Sequence, residues 1–286
     1  MKLISGISEI IEKYDVFILD QWGVIHDGKK GYTLAIECVQ QLVKRNKKLI
    51  IISNSSKRKS ETITRLPKLG FKENHFIEVM TSGEMVWNYL KNKTELNLGK
   101  NCFHIYDNTD KKNAEFVNGL DFNFVESIEQ ADFILGCTPQ HKYSIIDYVP
   151  ILKIALKKEM TFICANPDFE SVETSSKNKI YCMGSIAELY SEFGGKVIIL
   201  GKPSIEIYRE ATKKIINFQP SQTIAIGDSI YHDIKGANTF GIDSTLILSG
   251  IHSSLFNISK PEWNTEKNFL KKTDIVPTYL SSYFQL

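Results

Sequence analysis

Three charged residues stand immediately beyond short apolar runs, and a fourth lies close by. Asp20 follows "VFIL", Lys202 follows "VIIL" and one glycine, Asp228 follows "IAIG", and Asp233 comes five residues later. A further run, "LIII", leads into Ser53, Asn54 and Ser55. A carboxylate can attack phosphorus and form an acyl phosphate. Carboxylate oxygens are also the ligands that Mg²⁺ prefers. A lysine offsets the charge gathered when phosphate meets carboxylates, and a hydroxyl with neighbouring amides can bond the transferring oxygens. The set therefore reads as phosphoryl-transfer chemistry: Asp20 as nucleophile, Ser53 and Lys202 as its catalytic partners, and Asp20, Asp228 and Asp233 around Mg²⁺. Gly23 would let the backbone approach the phosphate. A lone Asp after a strand is most often a turn or cap residue. Several strand-end groups of complementary chemistry favour a site.

Positioning these groups needs strands that end together. The runs Val16 to Leu19, Leu49 to Ile52, Phe133 to Leu135, Thr161 to Cys164, Val197 to Leu200, Thr223 to Ile226 and Thr245 to Leu248 are too short for helices. Amphipathic stretches such as "YTLAIECVQQLVKRNKK" and "SIEIYREATKKIINF" lie between them. This alternation predicts an α/β fold, a doubly wound parallel sheet with helices on both faces. Ligands in such sheets sit beyond the carboxyl ends of the strands, where these polar residues fall.

Composition narrows the function classes. The chain has 286 residues, with 35 basic against 33 acidic side chains. That balance gives no electrostatic case for nucleic acid or an anionic membrane. No apolar run approaches the ~20 residues of a membrane span, and the N-terminal stretch lacks the apolar core of a signal peptide. The five cysteines are spread singly, without a CxxC pair, which favours a reduced, cytoplasmic setting.

Taken in order, "DQWG", "SNSSK", "GKP" and "GDSIYHD" resemble the four motifs of the haloacid dehalogenase (HAD) superfamily. The resemblance runs from about residue 15 to about residue 253. It implies a Mg²⁺-dependent hydrolase that forms an aspartyl-phosphate on Asp20, with Trp22 serving the metal through its main-chain carbonyl. The long interval between the second and third motifs carries its own strand-like runs, "CFHIYD", "DFILGC" and "TFICANPD". This implies an α/β cap inserted at residues 81–179 into a core of residues 1–80 and 180–286. "TSGEMVWNYL", "CANPD" and "GSIAELYSEFGGKVIILGKPSIEIY" are similar to the capped subgroup (subfamily IIA) that includes 4-nitrophenylphosphatase-like and nucleotidase-like enzymes. A cap loop selects substrate in that subgroup. Asn166 and Asp168 are the candidates here, beside Gly23, Asn54 and Ser55 from the core.

The resemblance departs at Trp22. Phosphatase branches carry a second Asp there, which protonates the leaving oxygen. An indole N–H has no such acidity. Three readings stay open: His26, Asp27 or a cap residue replaces the acid; the substrate has a good leaving group; or the domain is a weak or inactive binder of a phosphorylated ligand. The expected partner is a small phosphorylated metabolite, with a homo-oligomer through the cap as an option.

Overall fold

The computed structural model describes residues 1–92, 98–109, 111–140, 142–171, 180–256, 258, 270 and 273–286, with the backbone alone at 111 and 112. Each apolar run becomes a strand. Along the chain these are β1 (Lys2–Leu3), β2 (Val16–Leu19), β3 (Lys48–Ser53), β4 (Glu78–Thr81), β5 (Asn101–Ile105), β6 (Asn123–Val125) and β7 (Phe133–Gly136). There follow β8 (Thr161–Cys164), β9 (Glu170–Ser171), β10 (Ile180–Tyr181), β11 (Lys196–Ile199), β12 (Thr223–Gly227), β13 (Asp243–Ile247) and β14 (Tyr279–Ser281). The main helices are α1 (Thr33–Lys44), α2 (Lys59–Arg65), α3 (Ser82–Lys91), α4 (Lys111–Glu115), α5 (Val149–Lys157), α6 (Met183–Glu192), α7 (Ile205–Thr212) and α8 (Lys235–Phe240).

Two parallel sheets result. The larger has the order β1-β14-β13-β12-β2-β3-β4. Its central strands are buried on both faces, which is why their sequences are continuous apolar runs rather than alternating ones. One face packs on α1 through Phe17, Leu19, Leu49 and Ile51. The other packs on α7 and α8 through Ile18, Ile50, Ala225 and Ile207. Leaving β2, the chain steps outward through β3 to β4; from β12 it steps the opposite way to β13 and β14. The sheet's switch point thus lies between β2 and β12, where a crevice opens beyond the strand ends. Leu19 pairs with Ile226 and with Ile51, so Asp20 emerges level with the ends of both neighbours.

The second sheet has the order β11-β8-β7-β5-β6 and its own core around Ile134, Phe162 and Tyr190. It is the expected inserted α/β cap, with one boundary corrected. β11 pairs with β8 throughout its length, and α6 packs in the cap core. The cap sheet therefore extends to Ile199, not to residue 179, which itself lies outside the described residues. "VIIL" looked like a core strand because an edge strand of one sheet and a central strand of another share the same β-branched composition. All five cysteines are buried thiols. Among the described residues no helix is long and apolar enough to cross a membrane.

The two units are fastened where the chain first leaves the core. Arg58, before α2, donates to Glu84 of α3 through Nε (2.7 Å) and Nη2 (3.2 Å). Its guanidinium also lies over the Trp87 ring at 3.8 Å. Burial works to raise the Glu84 carboxyl, but the paired Arg58 holds it below the ordinary range. Replacing Arg58 by Met leaves a buried carboxylate without its partner and is expected to cost about 2 kcal/mol at neutral pH, roughly 4–6 °C in thermal midpoint. Because a depressed carboxyl pKa stabilises only above its unfolded value, the difference between wild type and variant should shrink as pH falls below about 4. Thermal melts at several pH values check both.

Candidate active site

Asp20 leaves the end of β2, Asp228 the end of β12, and Lys202 the segment that returns from the cap. Lys202 Nζ donates to Asp20 Oδ1 at 2.6 Å and to Asp233 Oδ1 at 2.7 Å. Oxygens of Asp20, Asp228 and Asp233 lie within 4.8 Å of one another. All four side chains are buried or nearly so. Asp233 is carried by a π-helical turn, Ile230–Ile234, and its Oδ2 accepts from the Ser229 amide at 3.0 Å. Asp228 Oδ2 accepts from the Ile251 amide at 2.7 Å.

The charges do not balance. Three carboxylates face one ammonium, where burial magnifies repulsion. Burial pushes the Asp20 carboxyl up to about 7 against the pull of Lys202. Burial, then Asp20 and Asp233, drive Asp228 well above the carboxylate range. Burial alone would lower the Lys202 ammonium, but Asp20 and Asp233 more than reverse it. An all-oxygen donor set with surplus negative charge fits a hard divalent cation. Asp20, Asp228 and Asp233 are the side chains that could hold one.

These groups open onto a cavity of about 700 Å³ between core and cap. Asp20, Trp22, Ser55, Asn166, Asp168, Lys202, Asp228 and Asp233 line it, as the sequence suggested. Three predicted residues stand behind the lining. The Ser53 hydroxyl, expected to bond transferring oxygens, accepts from the Ser55 amide at 3.3 Å and shapes the turn that presents Ser55. Asn54, expected to touch substrate, is fully spent on the protein. Its Oδ1 accepts from the Lys202 amide (2.7 Å), and its Nδ2 donates to Asp168 Oδ1 (2.8 Å) and to the Lys202 carbonyl (3.1 Å). Gly23, expected to clear space for phosphate, clears it for Asp228 instead. A Cβ there would sit 2.1 Å from Asp228 Oδ2, and its φ is +77°.

Asn54 thus clasps both the returning segment and the cap loop after β8. His232 completes the clasp. Its Nε2 lies 3.0 Å from the Pro167 carbonyl, an acceptor only, so Nε2 carries the proton and donates it. Its Nδ1 faces the Ser229 hydroxyl at 2.9 Å and Asp168 at 3.5 Å. A residue beside a motif acid has no signature of its own for contacting a distant loop. Asn166 makes an Asx-turn, accepting from the Asp168 amide, and also lines the cavity.

Trp22 forms one wall. Its ring meets His26 edge-on at 5.1 Å and lies under the Arg65 guanidinium at 5.8 Å. Arg65 also donates to the Gly28 carbonyl at 2.8 Å. Gly28, at φ +87°, makes room: a Cβ there would lie 2.2 Å from the indole. His26 sits behind this wall, away from the cavity, and accepts from the Gly28 amide through Nδ1. Burial and Arg65 lower it to about 4, so it is neutral at physiological pH. Asp27 does line the cavity, but its Oδ1 accepts from the Lys29 and Lys30 amides at 2.9 and 2.8 Å. Although burial opposes them, these bonds hold its carboxyl below the ordinary range.

Known proteins share this plan. A family model described as haloacid dehalogenase-like hydrolase matches residues 17–119, and a second, HAD-hydrolase-like model matches residues 199–276. Together they cover more than half of the chain. A 4-nitrophenylphosphatase of Schizosaccharomyces pombe is 24% identical over 95% of this chain and 92% of its own. A haloacid dehalogenase-like hydrolase from Brucella suis superposes with a TM-score of 0.82 at 24% identity, over 98% of this chain and 99% of that one. A p-nitrophenyl phosphatase from Archaeoglobus fulgidus gives 0.68 at 20% identity, over 95% and 97%. The strand-end acids, the lysine returning from the cap and these matches place the chain in the haloacid dehalogenase-like hydrolase superfamily, to which it belongs.

Proposed function

We propose that the chain is a Mg²⁺-dependent phosphoric monoester hydrolase acting on a small phosphorylated metabolite in the cytoplasm. The observation that carries this reading is the Asp20 carboxylate, held by Lys202 beside Asp228 and Asp233 in the lining of the cavity. The similarity to 4-nitrophenylphosphatases supports the reaction class. Mg²⁺, held by Asp20, Asp228, Asp233 and the Trp22 carbonyl, would neutralise charge on the transferring phosphoryl group.

The chain's own residues would act in two stages. One Asp20 oxygen attacks phosphorus and the ester oxygen leaves, giving an aspartyl-phosphate. Water then attacks that phosphorus, releasing inorganic phosphate and the Asp20 carboxylate. Lys202 keeps Asp20 oriented and offsets the gathered anions. Ser55 lines the cavity, and its hydroxyl, which accepts from the Lys57 amide, keeps its own hydrogen to donate to phosphoryl oxygens. A cap closed over the substrate would keep bulk water from the site. The other reading, a phospho-ligand binder with little turnover, rests on Trp22.

Hydrolysis of 4-nitrophenyl phosphate with Mg²⁺, against the Asp20→Asn variant, separates them. Turnover should be abolished by chelation, and the variant should fall by at least about 10³-fold while its thermal midpoint is kept. Mg²⁺-dependent turnover equal to wild type in the variant rejects Asp20 as the nucleophile, and none in either protein across a phosphomonoester panel rejects the hydrolase.

The same charges predict a pH effect. Asp20 and Asp228 have raised pKa values in the folded, metal-free protein, which then holds protons that the unfolded chain has released. Their contribution therefore erodes stability as pH rises, and a cation that displaces those protons removes the penalty. The rise in thermal midpoint caused by Mg²⁺ should grow from about pH 5 to about pH 8. Melts with and without Mg²⁺ at each pH measure it.

A further inference from the structure

Resting on the hydrolase reading above, we infer that a side pocket behind Trp22 takes a second oxyanion of the substrate, so that phosphomonoesters carrying a further carboxylate or phosphate are preferred. The pocket encloses about 180 Å³, and Gln21, His26, Glu61 and Arg65 are among its walls. Trp22, Ser55, Lys57 and Arg65 line both this pocket and the catalytic cavity, so the two spaces adjoin. A substrate held at Asp20 can therefore reach from one into the other.

Hydrogen bonds fix which groups the pocket presents. His26 Nδ1 accepts from the Gly28 amide, so the one proton of the neutral ring is on Nε2. Nε2 lies 3.4 Å from Gln21 Oε1 and donates to it. That spends the oxygen of Gln21 and leaves its NH₂ group as the free end. Gln21 is only 4% exposed, and among the described residues nothing accepts from that NH₂. A buried donor without a partner is costly, so the pocket favours a ligand that supplies an acceptor.

The charge of the walls points the same way. Arg65 donates through Nη2 to the Gly28 carbonyl, and among the described residues no carboxylate pairs with its guanidinium. Glu61, the acid of the lining, lies 3.9 Å from Lys57, which also donates to Asn113. Glu61 thus offsets Lys57 and leaves the Arg65 charge in surplus. An amide NH₂ beside a guanidinium suits a carboxylate or phosphate, whose oxygens accept several charge-assisted bonds at once. A neutral hydroxyl in the same place would gain far less.

Paired substrates test this on the Mg²⁺-loaded protein: 3-phosphoglycerate against glycerol 3-phosphate, and 4-carboxyphenyl phosphate against phenyl phosphate. Within a pair only the second anion differs, and the two pairs set it at different distances from phosphorus. Wild type should favour the anionic member of at least one pair by about tenfold or more in kcat/KM, through KM. Gln21→Glu keeps an oxygen for His26 but replaces the donor by an acceptor, and should bring that ratio to about one or below. Arg65→Gln should lower the ratio as well, and Arg65→Lys should recover part of it. A merely structural role would slow both members of a pair alike and leave the ratio unmoved. If Gln21→Glu does not fold, the Arg65 variants decide. Equal kcat/KM within both pairs overturns the inference while leaving the hydrolase intact, and so does a preference that these variants do not change. Free sulfate that raises the thermal midpoint of wild type but not of Gln21→Glu, with no preference in either pair, assigns the pocket to a separate anion and overturns the substrate class. Absence of turnover with every one of these esters removes the hydrolase reading, and this inference with it.

Discussion

The Lys202 ammonium holds together carboxylates that would otherwise repel one another. Asp20 comes from β2, Asp233 from the turn after β12, and Lys202 from a segment that has just left β11 of the cap. Three remote parts of the chain therefore meet in one pair of hydrogen bonds. Burial makes those bonds strong and makes their absence costly, since unpaired charge in a low-dielectric setting has no water to answer it. The core sheet can position Asp20 and Asp228 by itself. It cannot neutralise them, because the buried cation they face arrives only after the cap has been built.

That dependence makes the cap part of the site rather than a cover over it. Asn54 bonds the Lys202 main chain on one side and Asp168 of the cap loop on the other, using both of its amide hydrogens and its oxygen. His232, next to Asp233, holds the Pro167 carbonyl of the same loop. A shift of the cap loop would therefore be felt at the residue next to Asp233 and at the backbone of Lys202. On the opposite crossing, Arg58 and Glu84 fasten α2 to α3. The cavity is held at both places where the chain passes between the units, so its 700 Å³ is bounded by two clasps and not by a hinged flap alone.

The parts of this arrangement legible in the sequence are those set by local chemistry. Val16 to Leu19 and Thr161 to Cys164 are strands with those bounds, because four large apolar residues ending in a polar one admit few other structures. Asp20, Lys202, Asp228 and Asp233 were found because each follows such a run closely. What stayed hidden depends on tertiary placement. "VIIL" gives no sign of which sheet it joins. Ser53 ends β3 and Asn54 follows it, as a phosphate-contacting pair would, yet their side chains bond the protein. His232 and Pro167 are 65 residues apart in sequence, and their contact has no local trace.

Trp22 shows how a single residue type reorganises its surroundings. An indole is far larger than a carboxylate, and the loop from Asp20 to Gly31 is shaped to take it. Gly28 adopts a positive φ and offers no Cβ where the six-membered ring lies. His26 meets the ring with its edge, and Arg65 covers it while bonding the Gly28 carbonyl. Such mutual fitting is what close packing produces when a large aromatic is retained. The indole is a wall that stands between His26 and the cavity. A carboxylate restored at this position would leave part of that wall hollow. The chemistry next to Asp20 is therefore set by the packing of the whole loop.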